Sequence, residues 1–543
     1  MSETRRSDGL WLAVVLATGC SSAGGRADAM TSFDDSFTGG SATATDGLGG
    51  TSSPTGPGPD DADGGGLKLD VGAAFDLGGG AVPPSCDNIH EFPSTSVGCE
   101  FYAVQVPSFP SPLPYGISVG NPGNQTAHVV IEDMRGPNGA LRTVVAFDLD
   151  PQSSVLTEIN GQGGILAGES HMVIPSGLNE RAAFRVSSDA PVTAMQIFPV
   201  GGGPSHVSEA SLLLPVNSLD TSYIAVGYPQ YGGGDGFVIV VAIEDATTVH
   251  TTQGDVMLDQ FDVWNYHNGS DATGFFLSTD KPVAVFSGAD CVMVPGLPWY
   301  ACDHIQEQVI PLSAWGTEYV GARHPHRVPA INPTPENVYW RVVAAGDSTT
   351  VTLQPPVAGT NGVIQLAALG DFFEFDTAES FVASGNDPFM LVQYMSGCYN
   401  VITNTASPSS CEQGATGDPY MMQMVPVEQW LTSLPFLTDT SYPRDFVTIV
   451  RETGTQVTLD CLGVVSDAHF SPIPGTPYEV GSVDLDIEGQ EGGEGNCVDG
   501  EQFLTATAPV GVLVGGVDWA TSYGYPGGLS LGELWVPPTM PPG

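Results

Sequence analysis

The sequence predicts an all-β protein made of four tandem β-rich repeats of about 90–120 residues, each sandwich-like. Three observations carry that expectation. Glycine (69) and proline (44) make up about a fifth of the 543 residues, against a usual ~12%, and helix-rich folds tolerate that poorly. Hydrophobic residues form 41% of the chain, enough for folded cores. One pattern of short apolar strands between turn residues returns four times after residue 85. Charge bounds the function. Fourteen Lys and Arg face 61 Asp and Glu, a formal net charge of −47. Such a chain repels phosphate backbones and anionic lipid head groups, which excludes nucleic acid as a partner.

The first element is an address. Residues 1–9 carry Arg5 and Arg6, residues 10–16 are a short apolar run, and Ala17-Thr18-Gly19 precedes Cys20. Basic, apolar and small-residue segments in that order read as a signal peptide over residues 1–20. The run is too short to span a bilayer, which takes about 20 apolar residues. A cysteine directly after small residues resembles the lipobox of bacterial lipoproteins. Cys20 is therefore the expected lipidation site, anchoring an exported protein at the cell envelope or cell surface. The usual leucine three places earlier is Ala17, and an ordinary secretory signal is the alternative.

Residues 21–85 read as a disordered tether of Gly, Ser, Thr, Ala and Pro, with nine aspartates against Arg26 and Lys68. Such a segment cannot bury enough apolar surface to offset its chain entropy. As a flexible coil it spans ~45 Å root-mean-square. Asp60-Asp61-Ala62-Asp63 lacks EF-hand spacing and reads as solvated spacer.

The folded region, 86–543, divides into units at roughly 86–206, 207–304, 305–413 and 414–543. Each unit is marked by a proline ahead of an apolar strand: Pro191, Pro282, Pro388 and Pro509. Proline at a strand head removes a donor where no ladder has begun. Upstream of the markers lie the strands TAHVVIED near His128, DGFVIVVAIED near Phe237, ENVYWRVVAAGD near Tyr339 and RDFVTIVRE near Phe446. In the last three a Thr-rich segment follows (TTVHTT, TTVTLQ, TQVTLD) and reads as the second arm of a hairpin. Each unit then holds six to eight short strands, as a sandwich does; a β-propeller is the alternative. An apolar-Pro junction occurs five times, at Pro107, Pro215, Pro311, Pro426 and Pro537, which favours an open array over a closed ring.

Cys20 aside, eight cysteines remain, and an even number in an exported chain suggests disulfides. Proximity pairs Cys86 with Cys99, Cys291 with Cys302, Cys398 with Cys411, and Cys461 with Cys497. The first three read as one loop staple used three times, each contributing ~3 kcal/mol. No CxxC spacing supports a metal alternative.

Three stretches carry a resemblance: STSVGCEFYAVQVP at Ser94, SDAPVTAMQIFPV with SEASLLLPVNSLDTSYIAVGYP from Ser188, and KPVAVFSGADCVMVPGLPWYACDHIQEQVIPLSAWGTEYV from Lys281. They are similar to the IgGFc-binding protein N-terminal domain family, across roughly Cys86 to Pro537. The Cys-x10-Cys-Asp-His-x2-Glu-Gln string is the most specific part. The resemblance implies a binding module without enzymatic activity, and it supplies no set of binding residues. Gly417-Asp418-Pro419-Tyr420 lacks the histidine of a self-cleaving Gly-Asp-Pro-His site and reads as a turn.

Candidate chemistry is sparse. Gly116-Ile117-Ser118-Val119-Gly120 fits the GxSxG expression, yet it falls in the strand that reads YIAVGYP in the second unit, with no helix after it. His324 and His326 suit metal ligands without further partners at a known spacing, so an exposed loop is the plainer reading. Asp303, His304 and Glu307 resemble acid/base material, with a structural hydrogen-bond role as the plainer one. Asp484, Asp486, Glu488, Glu491, Glu494, Asp499 and Glu501 crowd into the Cys461–Cys497 region, where a structural calcium ion or a solvated loop are the two readings. No other cofactor is indicated. The expected function is an exported, lipid-anchored recognition or adhesion protein for an extracellular protein or glycan. A cell-envelope glycan hydrolase using paired carboxylates and a purely structural surface spacer are the alternatives.

Overall fold

The computed structural model describes residues 84–540 apart from 109–112, 170–173, 232–235, 268, 270, 297–301, 402–415, 488–492 and 496. Cys20, nearly all of the tether and Cys411 therefore lie outside the described residues. The described part is all-β, with helical content limited to short 3-10 turns.

The first repeat has β1 (Gly98–Ala103), β2 (Tyr115–Asn121), β3 (Ala127–Asp133), β4 (Arg142–Leu149) and β5 (Ser153–Asn160). After β6 (Gly177–Asn179) it ends on the long β7 (Phe184–Phe198) and β8 (Glu209–Leu212). The second has β9 (Asp220–Ile224), β10 (Phe237–Ala242), β11 (Thr247–Thr251), β12 (Gly254–Leu258), β13 (Val263–His267), β14 (Phe276–Val292) and β15 (Asp303–Gln308). The third has β16 (Glu318–Gly321), β17 (Val338–Ala344), β18 (Thr349–Gln354) and β19 (Val363–Leu366). It continues through β20 (Phe372–Thr377), β21 (Phe381–Gly385), β22 (Phe389–Tyr394) and β23 (Met421–Gln423). The fourth has β24 (Leu431–Leu437), β25 (Arg444–Glu452), β26 (Val457–Leu459), β27 (Gly463–Val464), β28 (Phe470–Pro472), β29 (Tyr478–Ile487), β30 (Glu501–Asp518) and β31 (Thr521–Pro526).

One plan recurs. The second half of a long strand pairs with one neighbour set and its first half with another, so a single strand belongs to both layers of a sandwich. In the second repeat, β14 pairs through residues 276–279 with β9 and β11, and through residues 283–292 with β10 and β15. Pro191, Pro282 and Pro509 sit at this step inside the strand and not at its head, whereas Pro388 stands at the head of β22 as expected. Pairing of β14 with β9 skips from Ser278 to Val283 around Pro282. Pairing skips in the same way from Ser187 to Val192 around Pro191, and from Thr505 to Val510 around Pro509. Proline lacks the N–H that would be left unpaired between two ladders. In the third repeat the step at Pro388 breaks the strand into β21 and β22, giving two separate four-stranded sheets.

Two strand assignments change as a result. The counterpart of β10, β17 and β25 is β2, which pairs with the second half of β7; TAHVVIED is β3, which pairs with its first half as β11 does. The GxSxG residues accordingly lie in β2 and not in the equivalent of β9. The Thr-rich strand is not a hairpin arm of the strand before it, since β10 pairs with β13 and β14 while β11 pairs with β12 and β14. The turn between them, with Ala246 at φ 52°, carries the chain from one layer to the other.

The apolar run of β10 follows from burial on both faces. Val238, Val240 and Ala242 pack inside their own sandwich, while Phe237, Ile239 and Val241 pack into the core of the first repeat. The repeats are thus fused through shared cores. The last strands close the arrangement: β8 touches β15, β15 touches β23, β23 touches β31, and β31 touches β8. At the chain ends, Ser96 N donates to Leu529 O at 3.0 Å and Leu531 N to Ser94 O at 2.8 Å. The open array expected from five junctions is therefore a closed ring. The fifth junction lies in a terminal tail, where Val536 is 79% exposed and Trp535 Nε1 donates to Leu312 O at 3.0 Å. Each repeat remains a two-layered sandwich, which distinguishes it from a single-sheet propeller blade.

Three disulfides join pairs of described residues, Cys86–Cys99, Cys291–Cys302 and Cys461–Cys497, with Cα–Cα distances of 5.7, 5.1 and 4.7 Å. Cys398 is also disulfide-bonded. They are not one staple repeated. Cys291–Cys302 closes the β14–β15 connection, whereas Cys86–Cys99 ties the segment before β1 onto that strand.

Gly288 tests the ladder that reaches the axis. A Cβ there would lie 2.0 Å from the Ile305 carbonyl oxygen, while one on Gly346 meets nothing within 4 Å. Gly288→Ala is expected to cost about 3 kcal/mol in urea unfolding, and Gly346→Ala less than about 0.5 kcal/mol. Equal costs would contradict the β14–β15 packing.

Candidate functional site

The ring places four loops together. Their described parts are residues 199–208 between β7 and β8, 293–296 and 302 between β14 and β15, 395–401 and 416–420 between β22 and β23, and 519–520 between β30 and β31. Because β8, β15, β23 and β31 surround one axis, these connections gather at one end of it. They interlock. Asp518 Oδ2 accepts from Gly203 N at 2.6 Å, and Asp518 O accepts from Gly417 N at 2.8 Å. Gly397 N donates to Val294 O at 3.3 Å, and Ser208 N to Thr521 Oγ1 at 3.1 Å. At the β30–β31 tip, Ala520 has φ 53° and Trp519 is 51% exposed. The Trp519 indole meets the His206 ring edge-on at 5.0 Å. An aromatic packed on one loop, next to a residue bonded to two, yet open to water suits a binding anchor.

Beneath this face the axis is polar. Gln306 Nε2 donates to Glu209 O at 2.9 Å, Leu214 N to Gln308 Oε1 at 2.8 Å, and Gln308 N to Ser211 Oγ at 2.6 Å. Between the second and third repeats, Gln423 Nε2 donates to Gln308 O at 2.9 Å, and Ile310 N to Gln423 Oε1 at 3.1 Å. Side chains here replace the missing inter-repeat ladder.

Asp303, His304 and Glu307 are fully buried on β15, sealed from any substrate. Burial raises Glu209, Asp303 and Glu307 well above the ordinary carboxylate range. Burial likewise pushes Asp418 up to about 7, despite the nearby Arg327. His304, held down to about 3 by burial, is neutral and sits 3.2 Å from the Ala289 carbonyl through Nδ1.

The other expected sites fall elsewhere. Ser118 is buried in the middle of β2, on a strand and not on a nucleophile elbow. The glycines around it serve packing: a Cβ on Gly120 would lie 1.8 Å from Glu501 Oε2 of the fourth repeat. His324 is buried and not in an exposed loop, with Nδ1 3.6 Å from Glu336 Oε1. The acidic run divides: Asp486 and Asp499 stay close, beside Asp445, and burial with that repulsion pushes Asp499 up to about 6, while the others scatter. Asp484 accepts from Arg444 Nε at 2.9 Å, Glu494 lies 3.3 Å from His469 Nε2, and Glu501 faces Gly120. Glu488 and Glu491 lie outside the described residues. Among the described residues no group of three or more His, Cys, Asp or Glu is arranged to hold a metal ion.

Sequence reasoning missed the axial glutamines, Trp519 and Glu336. A signal existed for the first: Gln308 and Gln423 each stand three residues before a junction proline, Pro311 and Pro426.

Comparison with known proteins places these features in a family. Residues 209–516 match the family described as IgGFc binding protein. The human IgGFc-binding protein is 23% identical over 399 residues, covering 69% of this chain and 7% of that protein. The chain thus spans a small part of its relative. No solved structure matches.

The axial carboxyls give the fold a pH signature. Asp418 rises from 3.8 unfolded to about 7 folded, so the native state keeps a proton that the unfolded chain releases. The stability it supplies is present below pH 4 and lost as pH rises through 7. His304 acts in the opposite sense between about 3 and 6.5, so a single-site difference isolates the carboxyl. Relative to Asp418→Asn, the wild type is expected to lose up to ~3 kcal/mol between pH 4.5 and 7.5, read from urea midpoints. A pH-independent difference would contradict a protonated Asp418.

Proposed function

Because the chain belongs to the IgGFc-binding protein family, we propose that it is a non-catalytic exported binding protein that recognises an extracellular protein or glycan through the loop face. The observation that carries this reading is the exposed Trp519, packed on His206 and next to Asp518, where loops from three repeats meet. A rigid aromatic anchor ringed by polar loop backbone is the arrangement that concentrates binding energy in protein recognition. The sealed positions of Asp303 and Glu307 speak against the glycan hydrolase, which needs two carboxylates flanking an open cleft. Cys20 lipidation and the tether of residues 21–85 complete the proposal, holding the face clear of the membrane. No helix among the described residues is long and apolar enough to cross a membrane.

Two measurements test it. Immobilised human IgG Fc is the first probe, chosen from the relative's name. Binding by the full chain, weakened about tenfold or more by Trp519→Ala, is the expected result in biolayer interferometry. Absence of Fc binding removes Fc as the partner, and binding indifferent to Trp519 removes the loop face. Metabolic labelling with an alkyne fatty acid is expected to mark the wild type and not Cys20→Ser. Equal labelling would refute the anchor.

A further inference from the structure

At three seams of the ring, the first strand of a repeat is packed by a short 3-10 turn from the next junction. Val216–Ser218 packs on β1, Leu312–Ala314 on β9 and Val427–Gln429 on β16. Each turn starts directly after a junction proline, Pro215, Pro311 or Pro426. The equivalent strand in the fourth repeat is β24, which pairs with β30 and skips at Pro509 as β1 and β9 skip at Pro191 and Pro282. The junction that meets it is Pro93, because residues 94–97 close the ring against Leu529 and Leu531. No 3-10 turn forms over residues 94–97. The residue four places after the proline is Leu219, Trp315 or Trp430 at the other seams and the smaller Val97 here.

A recess remains where a turn would sit. It holds about 510 Å³ of empty space, part of it open to solvent, between Val97 and Pro122 of the first repeat and Leu431, Leu434, Pro435 and Phe503 of the fourth. Leu431 and Phe503 are half-buried. Among the described residues, β24 has a ladder on one side only, to β30. An apolar recess beside an unpaired strand edge takes an extended segment, through backbone bonds and alternate side chains. The C-terminal tail runs elsewhere, with Trp535 Nε1 donating to Leu312 O and Met540 N to Ser278 Oγ.

One segment of the tether has the matching pattern. Residues 67–77, LKLDVGAAFDL, are bracketed by Gly64-Gly65-Gly66 and Gly78-Gly79-Gly80. Leu67, Leu69, Val71, Ala73, Phe75 and Leu77 take alternate positions, with Lys68, Asp70 and Asp76 among the residues between them. That is the period of a strand with one apolar face, and the glycine runs have the composition of linkers. The segment is within reach. Cys86 Cα is 5.7 Å from Cys99 Cα, and Cys99 follows Val97 by two residues, about 7 Å of chain. The chain from Leu77 to Cys86 spans up to ~30 Å. We propose that residues 67–77 add to the edge of β24 as a further strand and seat their apolar face in this recess, completing the seam that closes the ring. Residues 21–66 then remain as the spacer from Cys20.

Hydrogen exchange followed by mass spectrometry on the full chain tests this docking. Phe75→Asp is expected to speed exchange at residues 431–434 about tenfold, and Phe37→Asp, in the tether outside the segment, to leave it unchanged. Unchanged exchange there in Phe75→Asp, or an equal rise with Phe37→Asp, would overturn the proposal. Both changes lie outside the repeats, so the repeats themselves keep their sequence. A benzophenone side chain in place of Leu77 gives a second reading without an added charge. Photocrosslinks from it to residues 95–97, 431–435 or 503 of the same chain are the expected result. Crosslinks that join two chains would assign the segment to a second copy, and crosslinks to other regions would remove it from the seam; either outcome contradicts the docking.

Discussion

The hydrogen bonds that cross between the last strands of the repeats are the constraint on which the rest depends. A sandwich pairs mostly its own strands; β6 of the first repeat joins the second through a three-residue ladder with β13, but no ladder joins β8, β15, β23 and β31 to one another about the axis. Gln306, Gln308 and Gln423 do that with side-chain amides that donate to backbone carbonyls of the neighbour and accept from its N–H groups. Fixing β8, β15, β23 and β31 about one axis brings their preceding loops to one end. The loop face is a consequence of that closure.

The long strands are the second constraint. Carrying one strand through both layers ties them without a separate crossover, and the proline step makes that possible by removing a donor where neither ladder has a place for it. The same layering buries β2, β10, β17 and β25 along nearly their whole length. Their layer is pressed between its own sandwich and the next, and both faces are dry.

Much of this was legible in the sequence. The four marker prolines, the strand rhythm and the local cysteine pairs all reflect local chemistry that a one-dimensional reading can follow. Ring closure was not, because it rests on residues far apart in the chain, such as Ser94 with Leu531, and on glutamines indistinguishable by type from solvent-facing ones. Strand matching failed at His128 because alternation signals a strand and not its layer. His324 and His326 were read as exposed because their partner Glu336 lies across a turn of irregular chain, with no periodicity to mark it. Among the expected chemistry, the GxSxG stretch proved to be packing, and the acidic run divided once folded, with only Asp486 and Asp499 staying close.

The central claim is that the four repeats form one closed body about a polar axis. Hydrogen exchange followed by mass spectrometry tests it most directly. The account expects β8, β15, β23 and β31 to share the highest protection and to lose it together as denaturant rises, since each is held by its neighbours. Loss of protection in β31 and β1 ahead of the other repeats, as an open chain of independent sandwiches would give, would contradict it.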